Sequence, residues 1–243
     1  MKNAMLIIRT GQPPAPVGAR LGQFADWLRR EFADCDRAWQ EVHVAAGEPL
    51  PPVANCAGAV ITGSPAMVTD HLPWSEATAA WIREAVAAEV PLLGICYGHQ
   101  LIAYALGGEV GYHPDGPEVG VVDIQLKPAA GKDALFHDLP PVLQANVIHW
   151  QTVLRLPPGA VHLAGNAYEP HHAYRCGSAW GMQFHPEFDQ AAMAGYIETL
   201  AERLRNANRD PDVLLDALRP TPMAGNLLAR FSQLVCRRRN ADA

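Results

Sequence analysis

The most constraining feature of the sequence is an apolar run that leads directly into a cysteine flanked by glycines. Residues 90–93 read Val-Pro-Leu-Leu, and residues 94–100 read Gly-Ile-Cys-Tyr-Gly-His-Gln. Small residues on both sides of the cysteine allow a tight turn from a buried strand into a helix. A thiol on such a turn faces the positive end of the helix, which favours the nucleophilic thiolate. The segment therefore predicts a strand, a sharp turn and a helix, with Cys96 at the edge of a sheet.

Short apolar strands alternate with helical patterns through the first hundred residues. Strand patterns cover 5–9, 41–45, 57–61 and 92–96, and helical spacing recurs over 21–32, 77–88 and 100–106. Such alternation predicts a parallel sheet covered by helices on both faces. Since crossovers between parallel strands are right-handed, a doubly wound sheet is favoured.

The pattern changes after residue 108. Strand-like segments separated by turns cover 119–126, 145–149, 161–164, 173–176 and 179–184. With no long helical pattern among them, they predict a small antiparallel layer whose last strand returns to the parallel sheet. A closing helix is predicted over 191–204.

That last strand carries a second polar motif. Residues 180–187 read Trp-Gly-Met-Gln-Phe-His-Pro-Glu, and strand alternation is expected to place His185 and Glu187 on one face. A cysteine, a histidine and a carboxylate together form an activated nucleophile: Cys96 attacks, His185 transfers protons and Glu187 orients His185. A lone cysteine or a lone histidine is more often a buried core residue, but the two motifs together favour catalysis.

The two motifs together resemble those of class I glutamine amidotransferases, most nearly stand-alone members similar to the glutaminase domain of GMP synthetase. The resemblance runs from the first strand to about Leu204. It implies a flavodoxin-like, three-layer α/β sandwich with a mostly parallel central sheet and a small antiparallel layer over residues 1–205. Residues 206–243 are expected to be a C-terminal helical extension packed on the same domain.

The resemblance also implies an activity. Cys96 would attack the side-chain amide of glutamine, ammonia would leave, and water would hydrolyse the thioester without any cofactor. The chain is too short to contain a synthetase as well, so a separate partner would accept the ammonia, if one exists. One alternative is a γ-glutamyl peptidase or hydrolase that acts on small γ-glutamyl compounds with the same triad. Another, of a different class, is a regulatory binding module without turnover.

Backbone N–H groups are expected to stabilise the oxyanion. One is the N–H of Tyr97, and the other comes from the turn after the third strand, which contains Gly63 and Ser64. This turn resembles a Gly-Gly-Pro segment of the family, so Ser64 replaces a glycine. The replacement matters only if the position requires a positive φ.

The match to the family's glutamine-binding residues is less complete. Gln100 matches a glutamine-binding residue, and residues 148–151, Ile-His-Trp-Gln, resemble a Ser-His-Gly-Asp segment whose backbone holds the substrate's α-amino and α-carboxyl groups. His149 is the one match in that segment, and Gln151 replaces an acid that would pair with an α-ammonium group. Substrate binding and simple packing both remain open for His149 and Trp150.

Charge and cysteine content limit the partners. The net charge of −6 gives no reason to expect nucleic acid or an anionic membrane, and no apolar run approaches the ~20 residues of a membrane span. Five scattered cysteines without a Cys-x-x-Cys pair predict free thiols, a cytoplasmic location and no metal site. The sequence leaves the oligomeric state open.

Overall fold

The computed structural model describes residues 4–33 and 39–238. The strands are β1 (Ala4–Ile8), β2 (Trp39–Val42), β3 (Cys56–Ile61), β4 (Leu92–Ile95), β5 (Glu109–Tyr112), β6 (Glu118–Leu126), β7 (Val142–His149), β8 (Gln151–Arg155), β9 (Val161–Gly165), β10 (Ala173–Cys176) and β11 (Ala179–Met182). The α-helices are α1 (Ala15–Leu21), α2 (Phe24–Glu31), α3 (Pro73–Ala87), α4 (Tyr97–Ala105), α5 (Gln190–Thr199), α6 (Ala201–Asn206), α7 (Pro211–Asp216) and α8 (Pro222–Arg238). Up to α4, α-helices separate the strands as the hydrophobic pattern predicts, except that only 3₁₀ turns lie between β2 and β3.

One large sheet organises the chain, in the strand order β2-β1-β3-β4-β11-β10-β9-β6-β7. Neighbours from β2 to β11 are parallel, and neighbours from β11 to β7 are antiparallel. Strands β5 and β8 form a separate antiparallel pair, which the sequence patterns did not predict. The predicted α/β fold, with a parallel sheet and an antiparallel layer, is confirmed, and so is the return of β11 to the parallel strands.

Strand β1 shows why the sheet is covered on both faces. Met5 and Ile7 pack in the same core as Phe231 of α8, whereas Leu6 and Ile8 pack with α3 and α4 on the opposite face. All four strand residues are fully buried. Because side chains alternate along a strand, a run of apolar residues must be buried from both sides.

Helix α8 belongs to the main core. Its buried apolar side chains are Ala224, Leu227, Leu228, Phe231 and Val235. A Cβ atom built on Gly58 would lie 2.6 Å from Val235 Cγ2, so the helix approaches β3 at a point where only glycine fits. The division at residues 205 and 206 stays a prediction.

Two predicted helices are interrupted. The pattern over 21–32 is divided because Gly22 has φ 89°, which a right-handed helix cannot continue, so α1 ends before it and α2 begins after it. The pattern over 191–204 is divided at Leu200, where φ −100° and ψ 11° depart from helical values. Strand β2 begins earlier than predicted, and Val44–Ala46 form a 3₁₀ turn instead.

The cysteines differ from one another. Cys56, Cys96 and Cys176 are free thiols. Cys236 is disulfide-bonded, so the expectation of free thiols is wrong for this residue. Cys35 lies outside the described residues. Within the described part of the chain, no helix is both long and apolar enough to cross a membrane.

Candidate active site

Cys96 lies at a strained turn, here called the elbow, between the end of β4 and the start of α4. Its φ of 50° and ψ of −98° are rare for a residue with a side chain. The backbone N–H of Cys96 donates to Met182 O at 2.8 Å, which ties the elbow to the end of β11. The cysteine is 7% exposed. The strain is maintained by the neighbouring strands and brings the thiol to the edge of the sheet.

The glycines on each side of Cys96 are required by close contacts. A Cβ atom on Gly94 would lie 2.3 Å from Gly98 O, and one on Gly98 would lie 2.4 Å from Ile61 O. Both distances are far below van der Waals contact, and both oxygens belong to the backbone. The Gly-x-Cys-x-Gly spacing is therefore a packing requirement of the elbow.

The side chains of His185 and Glu187 are close together, but the two residues lie in a turn and not on one face of a strand. Strand β11 ends at Met182, and the residues that follow form a turn in which Phe188 N–H donates to His185 O at 3.3 Å. His185 Nδ1 and Glu187 Oε1 are 2.8 Å apart, and both side chains are buried. The expectation of strand alternation is thus wrong, because the chain reverses direction within this turn.

Strand β7 holds the turn in place, although it lies at the far edge of the sheet. Asn146 O accepts a 2.8 Å hydrogen bond from His185 N–H, and Asn146 Nδ2 donates to Phe188 O at 2.9 Å. The Phe188 ring stacks on the imidazole of His185, with centroids 4.1 Å apart. Sequence reasoning missed Asn146 and Phe188. The aromatic residue directly after the motif could have indicated a role for Phe188, but no local sequence pattern indicates one for Asn146.

The charge state of His185 is set by its neighbours. Burial alone lowers the pKa of His185, but the charges of Glu187 and Cys96 outweigh it and raise the pKa to about 10. Nε2 of His185 is buried and has no hydrogen-bond partner among the described residues. A Cβ atom on Gly63 would lie 3.2 Å from His185 Cε1 and 3.8 Å from Cys96 Cβ. The imidazole and the cysteine therefore border one small space, and Nε2 is available for proton transfer there.

Backbone donors are also available beside Cys96. Tyr97 is the first residue of α4, so its N–H has no acceptor within the helix. Gly63 and Ser64 follow β3 and line the same cavity as Cys96. Ser64 does not have a positive φ, so a serine is accommodated there without strain. Its hydroxyl donates to Thr10 O at 2.8 Å, which ties the loop to the end of β1.

These groups surround a cavity of about 130 Å³. An engineered apolar cavity of ~150 Å³ holds a benzene molecule, so this space suits a ligand part the size of an amino-acid side chain. The predicted residues that line it are Gly63, Ser64, Cys96, Tyr97, Gln100, His149, Trp150 and His185. Glu187 is not in the lining and contacts His185 from the opposite side of the ring. Met67, Tyr196 and Arg203 also line the cavity and were not predicted.

The predicted glutamine-binding side chains differ in what they can still bind. Gln100 Nε2 donates to Gln151 O at 2.7 Å and to Gln183 Oε1 at 2.9 Å, which uses both of its N–H groups. His149 has Nδ1 2.9 Å from Gln151 O and Nε2 3.2 Å from Glu118 Oε2. Both ring nitrogens of His149 are thus engaged within the protein. Its imidazole supports the cavity wall.

Gln151 is committed to a neighbouring loop. Its Oε1 accepts a hydrogen bond from Val68 N–H at 3.1 Å, and its Nε2 donates to Thr69 Oγ1 at 2.6 Å. Both ends of the amide therefore fasten the turn after β3 to β8. Trp150 instead contacts a cation: the centroid of its indole ring lies 3.8 Å from the guanidinium carbon of Arg203 at the cavity.

Comparison with known proteins gives one consistent result. The family model described as "Glutamine amidotransferase class-I" matches residues 22–200. GMP synthase [glutamine-hydrolyzing] of Aeropyrum pernix is 36% identical over 172 residues, which cover 68% of this chain and 31% of that protein. One subunit of the GMP synthase [glutamine-hydrolyzing] of Ignicoccus hospitalis is 41% identical over 99 residues, which cover 40% of this chain and 50% of that polypeptide.

A solved structure matches over nearly the whole chain. It is a glutamine amido transferase from Methylobacillus flagellatus, with a TM-score of 0.76 and 28% identity over 98% of this chain and 95% of the other. The curated relatives are matched only in part: the matched region spans about a third of the Aeropyrum protein and half of the Ignicoccus polypeptide.

Proposed function

Because this chain belongs to the class I glutamine amidotransferase family, we propose that it hydrolyses the terminal amide of glutamine or of another γ-glutamyl compound through a thioester on Cys96. The observation that carries this proposal is the meeting of two distant segments. A cysteine on a strained elbow borders the same cavity as an imidazole that is buried and bonded to a carboxylate. A module without turnover would have no need to maintain the strain at Cys96.

In the first half of the proposed reaction, the Cys96 sulfur attacks the amide carbon. The charge on the carbonyl oxygen is stabilised by the N–H of Tyr97 and by a backbone N–H of the Gly63–Ser64 turn. Protonated His185 then gives a proton from Nε2 to the amide nitrogen, the C–N bond breaks, and ammonia leaves. A thioester remains. The raised pKa of His185 supports this step, because the ring is protonated before the nitrogen departs.

In the second half, water attacks the thioester carbon. His185 takes a proton from this water through Nε2, the C–S bond breaks, and the sulfur leaves as a thiolate beside the imidazolium. The product is a carboxylate. Glu187 keeps the same position throughout, stabilising the charged ring and fixing its orientation through Nδ1.

The partner is proposed from the relatives. The Ignicoccus relative is one subunit of a GMP synthase, and the Aeropyrum relative is a longer protein that this chain matches in part. By analogy, a separate synthetase accepts the ammonia of the present reaction. The γ-glutamyl hydrolase alternative uses the same acyl-enzyme and differs in the leaving amine.

Product analysis tests the proposal. Purified protein is incubated with glutamine and with a panel of γ-glutamyl dipeptides, and ammonia, free amino acid and glutamate are quantified. Ammonia and glutamate in equal amounts from glutamine support the amidase, and faster release of amino acids from the dipeptides favours the hydrolase. The Cys96→Ala variant is the control. No product from any substrate, or equal product from the variant, contradicts the proposal.

A further inference from the structure

Asn146 is buried on the edge strand β7, yet its hydrogen bonds reach two other segments of the chain. Its side-chain Nδ2 donates to Phe188 O at 2.9 Å and to Thr221 Oγ1 at 3.1 Å. Its backbone oxygen accepts from His185 N–H at 2.8 Å. Asn146 therefore joins β7, the turn that contains His185 and Phe188, and the residue directly before α8.

The orientation of the Asn146 amide follows from the chemistry of its neighbours. Phe188 O is a carbonyl oxygen and can only accept, so the nitrogen of the amide must face it. Both N–H groups of Nδ2 are then used, one on Phe188 O and one on Thr221 Oγ1. Rotation of the amide would deprive a buried carbonyl of this donor, which is costly. The side chain is thus held in one position.

The turn that Asn146 holds determines where the imidazole of His185 lies. The Phe188 ring stacks on the imidazole with centroids 4.1 Å apart, and Glu187 Oε1 is 2.8 Å from Nδ1. Both contacts come from the same turn as His185. Asn146 bonds this turn at its two ends, through the N–H of His185 and the carbonyl of Phe188. A shift of the turn would therefore move the ring and its two neighbours together, and Nε2 would change its position relative to Cys96.

The segment before α8 takes part in the same arrangement. Residues 219–225, here called the α8 junction, include Thr221, whose hydroxyl accepts the second N–H of Asn146. A Cβ atom on Gly225 would lie 3.6 Å from Pro186 O, an ordinary van der Waals distance, so α8 begins directly against the turn. Arg219 Nε donates to Gln144 Oε1 at 3.2 Å, which connects the junction to β7. The α8 junction therefore contacts both the turn and the strand that supports it.

We infer, on the basis of the proposed function, that Asn146 is a positioning residue for His185 and that the α8 junction completes this support through Thr221. Neither Asn146 nor Thr221 lines the cavity beside Cys96. Their effect acts through the placement of Nε2 relative to the sulfur and the leaving nitrogen. A displacement of about 1 Å at reacting groups costs about 10²-fold in rate. The C-terminal helix thus serves the catalytic step as well as the core.

Steady-state kinetics test the inference against a matched control. Asn146→Ala removes both side-chain bonds, so kcat should fall about 10²-fold, whereas KM should stay within about twofold because no binding group is lost. Thr221→Val removes one hydrogen bond and should lower kcat about fivefold, and the conservative Thr221→Ser should restore it. Ser178→Ala is the control: its hydroxyl donates to Val90 O at 2.9 Å, before β4 and β11 begin and away from the turn. It loses a buried hydrogen bond and should keep its kcat.

A second measurement does not depend on turnover. NMR of protein labelled at its histidine nitrogens follows the His185 ring, whose signals are identified by their loss in His185→Gln. These signals should shift in Asn146→Ala and Thr221→Val, because the turn that carries the ring has moved. They should stay in place in Thr221→Ser and Ser178→Ala. A merely structural role of Asn146 would lower stability without shifting them.

The inference is overturned if kcat falls no further in Asn146→Ala than in Ser178→Ala, if the change is confined to KM, or if the His185 signals do not shift. Equal kcat values of the two Thr221 variants would remove the α8 junction from the inference. If Asn146→Ala does not fold, the Thr221 pair decides. If the wild type releases no product from any substrate, the proposed function fails, while NMR still decides whether Asn146 positions His185.

Discussion

Nδ1 of His185 lies 2.8 Å from Oε1 of Glu187, with both side chains buried and only one residue between them. The pair is formed by a turn after β11 that is fastened to β7 through Asn146. It leaves Nε2 of the imidazole facing the cavity that contains Cys96. This relationship determines the behaviour expected of the proposed triad.

The first prediction concerns the nucleophile. Cys96→Ala should abolish amide hydrolysis, because no other thiol lines the cavity among the described residues. The loss should be at least about 10⁴-fold in kcat, by comparison with removal of other nucleophiles. Ammonia release measures it, and an unchanged circular dichroism spectrum checks the fold. Activity within a few-fold of wild type would rule Cys96 out as the nucleophile.

The second prediction concerns the orienting carboxylate. Glu187→Ala should also lower kcat, but the factor by which kcat falls should be roughly a hundredfold smaller than in Cys96→Ala, since an orienting group contributes less than a nucleophile. The KM should change little, because Glu187 does not line the cavity. A full kinetic comparison of the two variants decides the matter. A larger effect on KM than on kcat would instead indicate a role in binding.

The third prediction concerns pH. The pKa of His185 is raised from 6.5 to about 10, so its charged form stabilises the folded state. This contribution is complete below the unfolded value of 6.5 and is lost as the pH rises through about 10. Thermal unfolding should therefore show a falling Tm across this range. Glu187→Gln keeps a hydrogen-bonding group but removes the charge, so its Tm should fall less steeply; parallel curves would contradict the assigned cause.

The fourth prediction concerns Gly63. In Gly63→Ala the new methyl group would lie 3.2 Å from His185 Cε1, so the imidazole must move. Because small displacements of reacting groups are costly, kcat should fall by about 10²-fold. Gly131→Ala is the matched control, since its methyl group would meet nothing within 4 Å and its φ is not positive. Equal activity of the two variants would show that His185 tolerates the displacement.

The fifth prediction concerns the C-terminal helix. Phe231 of α8 is fully buried in the same core as Met5 and Ile7 of β1, and Phe231→Ala should destabilise the protein by about 3–5 kcal/mol. Met223, on the same helix, is 41% exposed, and Met223→Ala should cost far less. Urea unfolding of both variants measures the difference. Similar unfolding midpoints would mean that residues 206–243 are a separable extension and not an integral part of the core.

The sequence by itself determined much of the local geometry and supplied the candidates for the proposed reacting groups. The apolar strand before Cys96 and the glycines around it predict the elbow from the sequence; the Gly94 requirement is local, since it concerns Gly98 O, whereas the Gly98 requirement concerns Ile61 O of β3. The return of β11 to the parallel strands was also predicted from strand patterns in the chain, whereas its pairing with β4 is visible only in the structure. Periodicity and glycine placement are properties of short stretches, so they can be read without knowledge of the folded state.

The tertiary structure alone decided how these groups are supported and which side chains line the cavity beside them. Asn146 reaches His185 because the antiparallel part of the sheet brings β7 back to the end of β11, and Arg203 reaches Trp150 because a late helix packs at the cavity. Gln151, which replaces an acid of the resembling segment, has its amide used by a loop 83 residues away in sequence. Contacts between such distant positions depend on the packing of the whole chain, which no local pattern encodes.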